Sequence, residues 1–276
     1  LLVLYLLFLE TIILFLFGFT SCSDFFSWDL PKISSGYCLF LNNENQFLSS
    51  ANSSSNNCAF NYLNNSTKVT MSFWVKPVSF IDSSSSDLYR GVFNIASNNQ
   101  SEYVCDLWLY EGPSGRIDFS VISQGIFGRA SNENLIYGEW NHIAICIDLT
   151  SNIKFKCYVN GFDATLASNF SNLSSFPTTF NASLIIGKSK KQNAKSFNGY
   201  IDEISIWNNQ TLNEQEILTI YNYSNTIQLS QFTKQPNVWY RMGDDLEFPY
   251  MLNYFGGQTK LFMNNMDESN VVLCPD

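Results

Sequence analysis

Residues 197–222 read FNGYIDEISIWNNQTLNEQEILTIYN, and this stretch decides the fold. From Tyr200 to Trp207 the positions separate with a period of two: Tyr200, Asp202, Ile204 and Ile206 on one side, Ile201, Glu203, Ser205 and Trp207 on the other. That is the pattern of a strand, and the Asn198-Gly199 pair before it is turn chemistry. Thr211 and Glu214 then have the spacing of a capping box, in which a hydroxyl accepts from the amide three residues on and a carboxylate reaches back. Leu212, Ile217, Ile220 and Tyr221 follow at roughly helical intervals, so the stretch predicts a strand closed by one short helix.

Working outward, residues 68–76 alternate as clearly: Val69, Met71, Phe73 and Val75 against Thr70, Ser72, Trp74 and Lys76, with Pro77 ending the run. Strands are also expected at residues 37–41, 46–48, 88–96, 103–110, 116–122, 140–148, 154–159 and 183–186. Polar turns separate them, among them Asn160-Gly161 and the Gly-Pro-Ser-Gly run at 112–115. Residues 163–181 read as a Ser/Asn loop, and in the tail from 228 only residues 238–242 read as a strand. Aromatic residues make up 16% of the chain, a composition that favours strands. The net charge of −9 argues against nucleic acid, whose phosphates need a basic face.

Residues 1–19 are almost continuously apolar apart from Glu10 and Thr11. Three readings stand: a secretory signal ending near Ser21-Cys22-Ser23, a lipoprotein signal acylated at Cys22, and a retained anchor in which Glu10 costs about 2.5–3.5 kcal/mol. In each, this segment engages a membrane and the remainder lies outside the cytoplasm, secreted or at the cell surface. The expected organisation is therefore a leader or anchor at 1–23, a β domain at 24–227 and an extension at 228–276. Cys38, Cys58, Cys105, Cys146, Cys157 and Cys274 then form an even set suited to disulfides. Cys146 and Cys157 flank a predicted hairpin turn and are expected to face each other. Nine Asn-x-Ser/Thr sequons suit a secreted glycoprotein.

Four segments together resemble the laminin-G-like jelly rolls of the concanavalin A-like lectin/glucanase superfamily: residues 37–48 (YCLFLNNENQFL), 69–77 (VTMSFWVKP), 139–148 with 158–161 (EWNHIAICID, YVNG), and 197–222. The resemblance implies an all-β, two-sheet antiparallel jelly-roll sandwich with one short helix toward its C-terminal side. It also implies recognition of a carbohydrate or glycoprotein, with the alternative of a structural or adhesion module in an extracellular or virion assembly. Many members hold a structural Ca²⁺, which by resemblance points to Asp202 with Asn43 or Asn45.

The superfamily includes glucanases, but no Glu-x-Asp-x-x-Glu strand is present in the sequence. Asp202 and Glu203, being adjacent in a strand, are expected on opposite faces, the wrong arrangement for an acid and nucleophile. The single histidine, His142, reads as packing, and no C-x-x-C spacing suggests zinc. A non-enzymatic module is the expectation. Its ligand face is sought where aromatic and polar residues share strands and turns, at Trp108, Tyr110, Tyr89 and Arg129.

Overall fold

The computed structural model describes residues 36–50, 60–78, 89–97, 103–110, 116–121, 126–131, 135–170, 172–176, 182–189, 194–222, 226–256 and 259–275. The apolar segment 1–23, Cys22, Cys58 and the 112–115 turn lie outside them. Among the described residues no helix is long and apolar enough to cross a membrane.

In chain order the strands are β1 (Tyr37–Leu41), β2 (Phe47–Ser49), β3 (Lys68–Pro77), β4 (Tyr89–Ser97), β5 (Tyr103–Tyr110), β6 (Arg116–Val121), β7 (Ile126–Ser131), β8 (Asn141–Asp148), β9 (Phe155–Val159) and β10 (Phe162–Asp163). They continue with β11 (Thr165–Ser168), β12 (Ala182–Ile186), β13 (Lys195–Ser196), β14 (Gly199–Asn208), β15 (Val238–Tyr240), β16 (Leu246–Glu247), β17 (Tyr250–Met251), β18 (Leu261–Asn264) and β19 (Val271–Leu273). Among the described residues one α-helix, α1 (Glu214–Tyr221), follows β14. The first sheet runs β10-β9-β8-β3-β14-β1-β19, with β15 also on β14. The second runs β11-β7-β6-β5-β4-β12-β2-β18-β17-β16, with β13 on β4. Apart from the parallel β13–β4 pair, the ladders are antiparallel, and the two sheets form the expected jelly-roll sandwich.

The alternating residues of each strand explain the layers. Val69, Met71, Phe73 and Val75 of β3 meet Ile143, Ile145 and Ile147 of β8 in one core with Leu107, Leu109, Ile117 and Phe119 of the second sheet. Each such side chain, fully buried, contributes about 1.5–3 kcal/mol. The sheets approach closely where β7 crosses β9: a Cβ on Gly128 would stand 2.2 Å from the Phe155 ring. Phe155 itself stacks on Phe170, centroid to centroid 5.5 Å.

The deciding strand departs from regularity at its centre. Its register against β3 shifts between Asp202 and Ser205, and Glu203 has φ 54°. Ile201 and Ile204 therefore both face the core, and the Asp202 and Glu203 between them both leave it on the outer side. The expectation of opposite faces for this pair is corrected by the bulge. The same bulge divides the strand's free edge, so that β1 pairs with residues 199–201 and β15 with residues 204–206.

The helix begins two residues later than expected. Leu212 is buried and its N–H donates to Thr70 Oγ1 at 3.0 Å, which holds the chain extended past Thr211. The cap is Asn213, whose side chain accepts from the Glu216 amide at 2.9 Å while Glu216 accepts from the Asn213 amide at 2.8 Å. Ile217 and Ile220 then cover Ala144, Tyr158 and Trp207 on the outer face of the first sheet.

Two further expectations change. Residues 163–181 contain β11; in the tail from 228, β15 and β19 join the first sheet, while β18, β17 and β16 join the second. Cys146 and Cys157 do not face each other, because β8 and β9 pair Ile145 with Cys157 and Cys146 with Lys156. Cys157 points into the main core and Cys146 out beneath α1, and both are thiols.

Candidate functional site

On β4 to β7 the residues alternating with the core form a polar face on the outside of the second sheet. Two rows cross it. One aligns Asn94, Asp106, Ser120 and Phe127; the other aligns Gly91, Trp108, Asp118 and Arg129. Their strand neighbours Ile95, Cys105, Leu107, Ile117, Phe119 and Ala130 are all in the core, so the strand period fixes which way each row points.

Carboxylates on this face are deeply set: Asp106 is 0% exposed and Asp118 4%. Asp106 accepts from Ser189 Oγ at 2.6 Å, and Asp118 forms an ion pair with Arg129 at 3.3 Å. The Arg129 side chain is still 43% exposed and lies over the Phe127 ring at 4.6 Å. Ser189 reaches Asp106 because residue 91 is glycine, where a Cβ would stand 2.1 Å from the Ser189 backbone nitrogen. Tyr89 meets Trp108 edge to face with centroids 6.1 Å apart. Asn94 Nδ2 donates to the Cys105 carbonyl, but Asn94 Oδ1 and Ser120 Oγ are buried with no hydrogen-bond partner among the described residues. Buried polar atoms are ordinarily satisfied, so an enclosed water is the expected partner of these two.

The sequence-derived ligand residues thus come together in part. Tyr89, Trp108 and Arg129 share the face, with Trp108 buried at 8% exposure and Tyr89 half-buried. Tyr110 is opposite Tyr89 in the ladder, and its side chain lies outside the described residues. Asp106, Asp118, Asn94 and Ser120 were not foreseen, although their parity with Trp108 along the strands is the signal that finds them.

The residues to which the resemblance points for calcium sit on two elements, the turn between β1 and β2 and the middle of β14. Asn43 Oδ1 accepts from the Asn45 amide at 3.1 Å within an exposed turn, and the Asn45 carbonyl accepts from Asn265. Asp202 is buried on the first sheet, where it accepts from the Glu203 amide at 2.7 Å and lies 3.7 Å from Cys274 Sγ. The two asparagines share none of these partners, and no group of three or more His, Cys, Asp or Glu among the described residues could hold a metal.

A second polar cluster lies on the outer face of the first sheet. Ser72 Oγ and His142 Nε2 are 2.7 Å apart, and His142 is enclosed with its centroid 5.3 Å from Trp74 and 6.1 Å from Tyr221. Burial pushes the imidazole down to about 3, so it is neutral, and its Nδ1 has no partner among the described residues. Burial, with Asp202 alongside, pushes the Glu203 carboxyl well above its usual range, and that carboxyl accepts from the Trp239 indole. A nucleophile, a histidine and an acid are present here, but the imidazole has no carboxylate at Nδ1 to orient it.

A laminin-G family model, described as concanavalin A-like lectin/glucanases superfamily, matches residues 44–218. The chain belongs to this superfamily. Among solved structures it is similar to the heptameric SAP-like pentraxin from Limulus polyphemus, at TM-score 0.53 and 13% identity over 83% of this chain and 94% of the other. It is also similar to a Bacteroides ovatus protein provisionally described as carbohydrate binding, at TM-score 0.56 and 13% identity over 86% of this chain and 60% of the other. At that identity the likeness is one of fold. No curated protein matches the chain in sequence.

Proposed function

We propose that the chain is a non-catalytic, extracellular carbohydrate-binding module whose ligand lies across the outer face of β4 to β7. The observation that carries this is a face on which the half-exposed Arg129 guanidinium, held by Asp118, stands beside the Tyr89 and Trp108 rings. Sugars present hydroxyls at their edges and C–H groups on their faces, which suits a surface combining fixed acceptors, a half-exposed guanidinium and aromatic rings. The Bacteroides ovatus sandwich, provisionally described as carbohydrate binding, supports the reading at the level of fold. The exposed, paired Arg129 favours neutral sugars over strongly anionic ones, because its charge is already matched by Asp118.

The test is a glycan array probed with the full chain, with calcium and again with a chelator. Retained binding to neutral glycans in both conditions is the expected result. Loss on chelation would place an ion in the site. Silence across the array would remove the lectin reading in favour of a module that only packs against neighbouring chains.

A further inference from the structure

Cys105 and Cys157 are sealed in the main core and Cys146 lies under α1, each distant in the fold from the chain's C-terminal edge. Cys38 and Cys274 are different. β1 and β19 pair Tyr37 with Leu273 and Cys38 with Val272, and the Cys274 amide continues the ladder by donating to the Gly36 carbonyl at 3.3 Å. Residues two apart in register share a sheet face, so Cys38 and Cys274 are diagonal neighbours on one side. Both pack in a single small cluster with Trp74 and Trp140.

We propose that Cys38 and Cys274 form a disulfide that fastens the C-terminal edge strand to β1. The thiol of Cys274, together with burial, pushes the ionisation of Cys38 well up, as expected of two sulfurs in contact. Cys38 is buried and Cys274 only partly so, which sets the order of the reaction. An external low-molecular-weight disulfide, such as glutathione disulfide, is attacked by the Cys274 sulfur and releases one thiol. The Cys38 sulfur then attacks the mixed disulfide at Cys274, forming the Sγ–Sγ bond and releasing the second thiol. Two protein thiols are oxidised, one external disulfide is reduced, and the two protons pass to the two thiols released. Because Cys274 is one residue beyond β19, a small backbone adjustment there closes any residual gap to disulfide geometry.

The bond has a structural consequence. β19 is a three-residue edge strand, and beyond it the Pro275 carbonyl accepts from the Trp140 indole at 2.8 Å while Cys274 covers Asp202. Residues 271–275 thus close the outer face of the first sheet, and the disulfide ties that closure covalently. The test treats the full chain with glutathione disulfide and maps it by mass spectrometry without reduction. The expected result is one linked peptide pair containing Cys38 and Cys274. Reducing the same unmutated protein should lower the thermal midpoint by roughly 10 °C, the effect of opening a long cross-linked loop. Cys274→Ser should remove both the linked pair and the redox dependence of the midpoint. Both thiols still reactive after oxidation, or a link from either to Cys58, would overturn the proposal. Neither outcome depends on whether the polar face binds sugar.

Discussion

The chain has one histidine, and its burial makes acid stability a direct test of the packing around it. His142 is fully buried, and its imidazole is held down to about 3 from an ordinary value of 6.5. The folded protein therefore keeps it neutral while the unfolded chain protonates it near 6.5. Its contribution is complete above about pH 6.5 and is lost as pH falls toward 3, at about 1.4 kcal/mol for each unit in between. At pH 5 the loss is about 2 kcal/mol, and at pH 4 about 3 kcal/mol. Glu203 acts in the opposite direction, since its raised carboxyl favours the folded state as pH falls through its folded value toward 4.5. Comparing the wild type with His142→Gln cancels that term. Urea unfolding between pH 7 and 4 should show a steeper loss in the wild type, the difference growing by about 1.4 kcal/mol per unit below 6.5. The lone imidazole resonance should also stay at its neutral shift in the folded protein at pH 5. Parallel pH profiles, or a resonance titrating near 6.5 in the folded state, would refute the argument.

Gly128→Ala puts a methyl into the Phe155 ring and should cost about 1–3 kcal/mol in urea unfolding, with partial recovery in the double variant Gly128→Ala/Phe155→Leu. Asn213→Ala removes the helix cap and should cost about 1 kcal/mol, whereas Thr211→Ala should be the milder change. Equal costs for those two would return the helix start to Thr211.

What was legible in the sequence follows from the physics of period two. β3 and β14 bury one face against the opposite sheet, so their apolar alternation is strong enough to read unaided. β11, the edge strand, and β7 beside it are short and bury few residues, so the pattern fades into polar loop. The tail strands are two to four residues long, too short for a period of two to show, so local pattern carries little of them. The bulge at Glu203 was invisible for another reason: an acidic pair inside a strand does not announce a left-handed residue, yet that one residue reverses which parity faces the core. Cysteine pairing failed likewise on register, since the hairpin sets Cys157 against Ile145 and a slip of one residue exchanges faces. At the candidate site, aromatic side chains drew attention to Tyr89 and Trp108. Asp106 and Asp118 share their face by simple alternation, but a charged residue in a strand carries no local sign of being buried.

Hydrogen exchange of the full chain, with and without the best glycan from the array, locates the ligand on the sandwich directly. Added protection is expected in β5, β6 and β7, centred on residues 106–108, 118–120 and 127–129, with Arg129→Ala weakening it. Protection confined instead to the first sheet or to the 246–264 strands, with β5 to β7 unchanged, would contradict it.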